Sequence, residues 1–82
     1  MKVSPHALTR WMGRGPVIPD RVTAEGSLRA RVAAAKPITG RQVVQIIGRG
    51  RYRDRQFRAD REFVYVLSGD QRSVITVLDR RR

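Results

Sequence analysis

The residues best suited to chemistry in this chain lie close together near its N-terminus. His6 and Arg10 are four residues apart, a spacing that places side chains on one face of an α-helix. Arg14 follows just past the expected helix end and could reach the same place. Histidine transfers protons near neutral pH because its unperturbed pKa is about 6.5, and arginine stabilises developing negative charge. The spacing indicates either a proton-transfer site with anion-binding arginines or an exposed histidine, in a first helical turn, that has no role in catalysis.

Two helices are expected in the N-terminal part of the chain. Ser4 followed by proline is a typical helix start, since serine caps the first turn and proline loses no hydrogen bond there. The first helix is therefore predicted from Pro5 to about Met12. A second helix is predicted from about Thr23 to Lys36, where alanines favour helix, and Pro37 stops it.

After Gly40 the sequence pattern changes from helical to extended. Segments rich in β-branched and aromatic residues predict strands at residues 43–47, 62–67 and 73–78. Residues 51–57 predict a fourth, largely polar edge strand, and the turn at 68–72 joins the last two strands in an antiparallel hairpin. The expected fold class is α+β, a single domain over residues 1–82, with two N-terminal helices packed on a three- to four-stranded antiparallel sheet.

One hydrophobic core is expected, with both helices on a single face of the sheet. Trp11 and Phe63 are interpreted as core residues, whereas the hydroxyl of Tyr65 could reach either solvent or a site. The residues expected to form most of the core are Leu8, Trp11, Leu28, Val32, Val44, Ile46, Val64, Val66, Ile75 and Val77.

Arginine dominates the charge of the chain. The chain has 18 Lys+Arg and 7 Asp+Glu, which gives a formal net charge of +11. All of the basic residues except Lys2 and Lys36 are arginine. Arginine pairs with phosphate in a bidentate manner and stacks on bases, so the composition favours a nucleic acid partner. A charged surface without a ligand, and an acidic partner protein, are the alternatives.

The basic stretch at residues 49–61 is the best candidate for contacting RNA. Its arginines could follow phosphates, and its exposed aromatic residues could stack on unpaired bases. The expected contacts are Arg49, Arg51, Tyr52, Arg53, Arg55, Phe57 and Arg58. The alternative is a solvated edge hairpin in which Asp54 and Asp60 pair with neighbouring arginines.

Several classes of site are excluded by residue type. One histidine and no cysteine cannot supply the usual zinc ligands, and no glycine-rich phosphate-binding motif occurs, so neither a metal nor a cofactor is expected. The absence of cysteine and of an N-terminal apolar segment fits a soluble cytoplasmic protein without a membrane span. Metal-free RNA cleavage is compatible with this inventory, because RNA carries its own nucleophile, the 2′-hydroxyl.

The chain resembles the RelE/barnase-like superfamily of small ribonucleases. The resemblance rests on the opening pattern H-A-x-x-R-x-x-x-R-G at residues 6–15, on a second short helix, and on a closing strand with Ile-Thr-Val at residues 75–77. More narrowly, it is similar to short bacterial and phage proteins of that group that often act as toxins. The resemblance implies metal-independent RNA cleavage, with site roles for His6, Arg10, Arg14 and Thr76.

Three functional hypotheses follow. The first is a small RNA-cleaving toxin that acts on free or ribosome-bound mRNA and is neutralised by an antitoxin or immunity protein. The second is a non-enzymatic module that binds RNA or the ribosome through the same arginines. The third is a phage-encoded factor that binds an acidic host protein. His6 separates the first two, because a protein that only binds RNA needs no group that titrates near neutral pH.

Overall fold

The computed structural model of the chain describes residues 1–14, 20–48 and 54–80, and for Arg14 the backbone alone. The described residues form an α+β fold, as expected. Its elements, in chain order, are β1 (Lys2–Val3), α1 (Pro5–Arg14), α2 (Arg21–Ala34), β2 (Lys36–Ile38), α3 (Gly40–Ile47), β3 (Arg55–Ala59), β4 (Phe63–Ser68) and β5 (Ser73–Asp79).

The strands form one mixed sheet in the order β1-β5-β4-β3-β2. The pairs β5–β4, β4–β3 and β3–β2 are antiparallel, whereas β1 runs parallel to β5. The predicted three- to four-stranded antiparallel sheet therefore has too few strands, and β1 makes the sheet mixed. The strand predicted at residues 51–57 is found at Arg55–Ala59, and it lies between β4 and β2 rather than at an edge. The two additional strands lie at the sheet edges and are only two and three residues long, so they carry no detectable alternation of apolar and polar residues.

The two N-terminal helices are confirmed with small changes at their ends. α1 begins at Pro5, as predicted, and continues beyond Met12 to Arg14. α2 begins slightly earlier than predicted because Asp20 acts as its N-cap, accepting a hydrogen bond from the backbone N–H of Thr23 at 2.7 Å. It ends at Ala34, because the backbone becomes extended at Ala35 and continues into β2.

The predicted strand at residues 43–47 is wrong, because this segment is the second half of helix α3. Thr39 caps the helix in a capping box with Gln42, and Gly48 ends it with a left-handed backbone, φ 83°. These end signals, and packing of one helical face, outweigh the strand preference of the β-branched residues at 43–47.

The hydrophobic residues form two clusters on opposite faces of the sheet, and not one core. Phe63, Tyr65 and Leu67 of β4 pack with α1 and α2, while Val64 and Val66 pack with α3. Both N-terminal helices thus lie on one face, as expected. The expected core residues found buried are Leu8, Trp11, Leu28, Val32, Val64, Val66 and Val77.

Three expected core residues are not fully buried. Val44 lies on the outer side of α3 and is 46% exposed. Ile46 of α3 and Ile75 of β5 are half-buried. The prediction failed at Val44 and Ile46 because it assumed the two-residue repeat of a strand. Residues two apart share one face of a strand but lie on different sides of a helix.

Candidate functional site

The N-terminal turn of α1 is fixed to the last strand of the sheet. The backbone N–H of Ser4 donates to the carbonyl of Val74 at 3.0 Å, and its hydroxyl donates to the carbonyl of Ile75 at 2.9 Å. The same Ser4 Oγ accepts from the N–H of Ala7 at 3.0 Å and so caps the helix. This serine therefore anchors the first turn of α1, where His6 lies, on β5.

His6 and Arg10 share one flank of α1. Ala7, Leu8 and Trp11 turn the opposite side of the helix into the core, which leaves the His6 imidazole exposed and the Arg10 side chain half-buried. Arg14 is the last residue of the same helix, and its backbone continues the four-residue spacing. The arrangement places a group that can transfer a proton one helical turn from a permanent cation.

Thr76 does not lie on the same side of the sheet as α1. It is opposite Val66 in the β4–β5 register, and cross-strand partners share a face. Val66 belongs to the cluster beneath α3, so Thr76, which is 8% exposed, lies on that face of the sheet. A register shift between Val66 and Leu67 places Val74, two residues before Thr76, opposite Leu67 and therefore on the α1 face. The structure thus brings His6 and Arg10 together and leaves Thr76 apart from them.

The basic stretch is divided between the two faces of β3. Arg49, Arg51, Tyr52 and Arg53 lie outside the described residues. Arg55 is exposed, and its guanidinium donates to the carbonyl of Asp54 at 3.3 Å. Arg58 is half-buried on the other face of the strand and donates to the carbonyl of Val32 at 3.2 Å, at the end of α2. Arg55 and Arg58 therefore do not form one surface.

The prediction that Phe57 is an exposed stacking platform is wrong. Its side chain is 7% exposed and packs with Val43 of α3 and Val66 of β4. A ring buried in this way cannot reach an unpaired base. The alternation of β3 explains the error, because Phe57 is the position of the strand that faces the second cluster.

Asp60, in the turn after β3, is the centre of a polar network that sequence reasoning did not anticipate. Its Oδ2 accepts from Arg31 Nη2 at 2.9 Å and Nε at 3.2 Å, and from the Tyr65 hydroxyl at 2.5 Å. Its Oδ1 accepts from the backbone N–H groups of Glu62 and Phe63, both at 2.9 Å. The carboxylate is thus fully occupied by donors.

This network shifts the pKa values of its members in opposite directions. Burial opposes ionisation of Asp60, but hydrogen bonds from Tyr65, from the two backbone N–H groups and from Arg31 outweigh it and lower the pKa of the carboxyl. Burial, together with the adjacent Asp60 carboxylate, raises the pKa of the Tyr65 hydroxyl. Tyr65 is therefore a buried hydrogen-bond donor, which resolves the choice between solvent and a site that its sequence position left open.

Arg31 also joins this network to α1. Its guanidinium lies 5.4 Å from the centroid of the Trp11 ring and 5.6 Å from that of Phe63. Cation–π contacts of this kind contribute about 0.5–2 kcal/mol. Arg31 thus links the helix that carries His6 to the turn that carries Asp60.

Neither a metal site nor a membrane span is found in the described part of the chain. No group of three or more histidine, cysteine, aspartate or glutamate side chains is placed there to hold an ion. None of the described helices is both long enough and apolar enough to cross a membrane. Comparisons of the chain with protein-family models, curated proteins and solved structures found no significant match.

Proposed function

We propose that this chain binds RNA and cleaves it in a metal-independent reaction centred on the exposed flank of α1. The observation that carries the proposal is the pairing of the exposed His6 with Arg10 one turn later, on a helix that Ser4 anchors to the sheet. The formal net charge of +11 supports RNA as the substrate, because arginine-rich surfaces attract and align phosphates.

The chemistry assigns a separate task to each side chain. Neutral His6 accepts the proton of the 2′-hydroxyl while the 2′-oxygen attacks the adjacent phosphorus. The bond from phosphorus to the 5′-oxygen breaks, the leaving 5′-oxygen takes a proton from water, and His6 returns its proton to the hydroxide that this leaves. Arg10, with Arg14, holds the phosphate and stabilises the charge that develops on its oxygens. The products are a 2′,3′-cyclic phosphate and a free 5′-hydroxyl.

This activity is the one that the resemblance to RelE/barnase-like ribonucleases implies. Two N-terminal helices on one sheet face are compatible with it, and Thr76 is left out of the proposed site because it lies on the other face. In a cell we expect the protein to act on cytoplasmic RNA. A protein partner, an antitoxin or an immunity protein, would neutralise it by covering the basic surface.

The test is a cleavage assay on purified protein, with and without ribosomes and with a metal chelator present throughout. His6→Ala should lower the cleavage rate by about 10²–10⁴-fold, the usual contribution of general acid–base catalysis, with little change in RNA affinity. Thr9→Ala, at another exposed position of α1, is the matched control and should leave the rate unchanged. Induced expression should arrest growth for the wild type and for Thr9→Ala, and much less for His6→Ala.

A second candidate is a non-enzymatic protein that binds RNA or the ribosome. The observation in its favour is the position of Thr76, which leaves the α1 flank without the hydroxyl that the resemblance implies for the site. This candidate replaces the first if the protein binds RNA tightly but cuts none, alone or with ribosomes. Equal cleavage by the wild type and His6→Ala would likewise remove His6 from the chemistry.

A further inference from the structure

A basic cleft lies at the end of the sheet, apart from the α1 flank. It has a volume of about 340 Å³ and is lined by three cationic side chains, Lys36, Arg61 and Arg80, together with Asp60 and three alanines. Pockets for small ligands begin at about 300 Å³, so the cleft has room for a phosphate group and part of what carries it.

The fold brings these three cations together from distant parts of the chain. Lys36 of β2 pairs with Ala59 of β3, and Arg61 lies in the turn that follows β3. Arg80 follows β5, where its backbone N–H donates to the carbonyl of Glu62 at 3.0 Å and its guanidinium donates to the carbonyl of Asp60 at 2.7 Å. The positions of all three backbones are therefore set by the sheet and the β3–β4 turn.

The one carboxylate in the lining does not neutralise these cations. Asp60 already accepts hydrogen bonds from Arg31, from Tyr65 and from two backbone N–H groups, and so has no lone pair left for another donor. Lys36 and Arg61 are exposed, and neither forms an ion pair with a described residue. The cleft thus gathers three cations around one carboxylate, and that carboxylate is already paired with Arg31.

We infer that this cleft binds a phosphate group through Lys36, Arg61 and Arg80. Guanidinium and ammonium donors form short, charge-assisted hydrogen bonds to phosphate oxygens, and several such donors around a concave surface favour an anion over water. The phosphate could belong to the backbone of a nucleic acid or to a small phosphorylated molecule. The inference does not depend on cleavage at His6, because none of the three cations belongs to α1.

The experiment is a titration of the full chain, in phosphate-free buffer, with inorganic phosphate and separately with a single-stranded oligouridine. Amide signals of residues 36 and 59–61 should shift in both titrations. The double variant Lys36→Gln/Arg61→Gln should weaken phosphate binding by about tenfold, since it removes two charge-assisted donors. Both side chains are exposed, so the variant should fold normally.

The matched control is Arg21→Gln/Arg41→Gln, which removes the same charge from exposed positions at the starts of α2 and α3. It should change phosphate binding by less than about twofold. If the cleft variant also weakens oligouridine binding more than the control does, the phosphate belongs to a nucleic acid backbone. If it weakens only inorganic phosphate binding, the ligand is a small phosphorylated molecule.

Two results would overturn the inference. One is a titration in which neither phosphate nor oligouridine shifts the signals of the cleft. The other is equal weakening by the cleft variant and the control, which would mean that net charge alone attracts the anion. A protein that cuts no RNA but binds phosphate in the cleft would reject the proposed function and leave the inference standing.

Discussion

Arg31 of α2 and Asp60 of the β3–β4 turn make a two-donor contact although 29 residues separate them in the chain. Nη2 and Nε of Arg31 both donate to Oδ2 of Asp60, at 2.9 and 3.2 Å respectively. Because the guanidinium also covers the Trp11 ring, the contact fixes three elements relative to one another. It holds the turn that carries Arg61 and the helix that carries His6 against the same end of α2.

Removing the charge of Asp60 should therefore destabilise the whole fold. Asp60→Asn keeps the shape of the side chain but replaces charge-assisted hydrogen bonds by weaker neutral ones and leaves Arg31 without this partner. The expected loss is about 1–3 kcal/mol in the free energy of unfolding, measured by urea denaturation near neutral pH. Arg29→Gln, which breaks the exposed pair with Glu25, is the control and should cost less than about 1 kcal/mol.

The same variant should change how stability depends on pH. The pKa of Asp60 is lowered in the folded state, so its contribution is complete above the unfolded value of about 3.9 and is lost as the pH falls through the folded value. Wild type should therefore lose stability below about pH 4 more steeply than Asp60→Asn. Parallel acid-unfolding curves for the two proteins would contradict the assignment of this contribution to Asp60.

Two glycines should respond to alanine in opposite directions. Gly26 lies within α2, and an added Cβ would meet nothing within 4 Å, so Gly26→Ala should stabilise the protein by about 0.5–1 kcal/mol. At Gly69 the added Cβ would lie 2.8 Å from the carbonyl oxygen of Asp54, which is backbone and cannot rotate away. Gly69→Ala should lower the melting temperature, and an unchanged value would contradict this close approach.

The identity of α3 as a helix can be tested with two adjacent valines. Val43 is 1% exposed, so Val43→Ala should cost about 2 kcal/mol, because apolar surface is no longer buried and a cavity is left behind. Val44 is 46% exposed, and alanine favours helix over valine, so Val44→Ala should be neutral or slightly stabilising by denaturant unfolding. A large loss for Val44→Ala alone would instead fit a strand that buries alternate residues.

Salt dependence tests the sequence-based assignment of RNA binding to the basic stretch. If Arg51, Arg53 and Arg55 contact phosphates, their combined replacement by glutamine should weaken binding to single-stranded RNA. It should also reduce the slope of log affinity against log salt by about 0.7 for each phosphate that the protein no longer neutralises. The control is Arg21→Gln/Arg41→Gln. An unchanged slope in the triple variant would move RNA binding away from this stretch.

The sequence was sufficient for the elements whose signals agree with one another. Ser4-Pro5 marks the start of α1, and the β-branched and aromatic residues at 63–67 belong to a strand buried on both faces. In α3 the signals conflict. The residues at 43–47 favour a strand, but Thr39 and Gln42 form a capping box and Gly48 a helix end, and those capping residues are visible in the sequence.

The candidate site was predictable only where it is local. His6 and Arg10 lie on one helix, so their spacing alone places them together. Thr76 could not be placed in this way, because the register of the β4–β5 pair decides which face it occupies. The cations of the basic cleft meet through strand pairing and a turn, and no local pattern marks such a meeting.

The parallel pairing of β1 with β5 has a consequence for the order in which the chain can fold. Ser4, which caps α1, bonds to the carbonyl of Ile75, a contact between residues 71 positions apart. Contacts between residues so far apart in the chain require a long loop to close, which slows folding. During synthesis, therefore, Ser4 cannot anchor the first turn of α1, where His6 lies, on the sheet until β5 has left the ribosome.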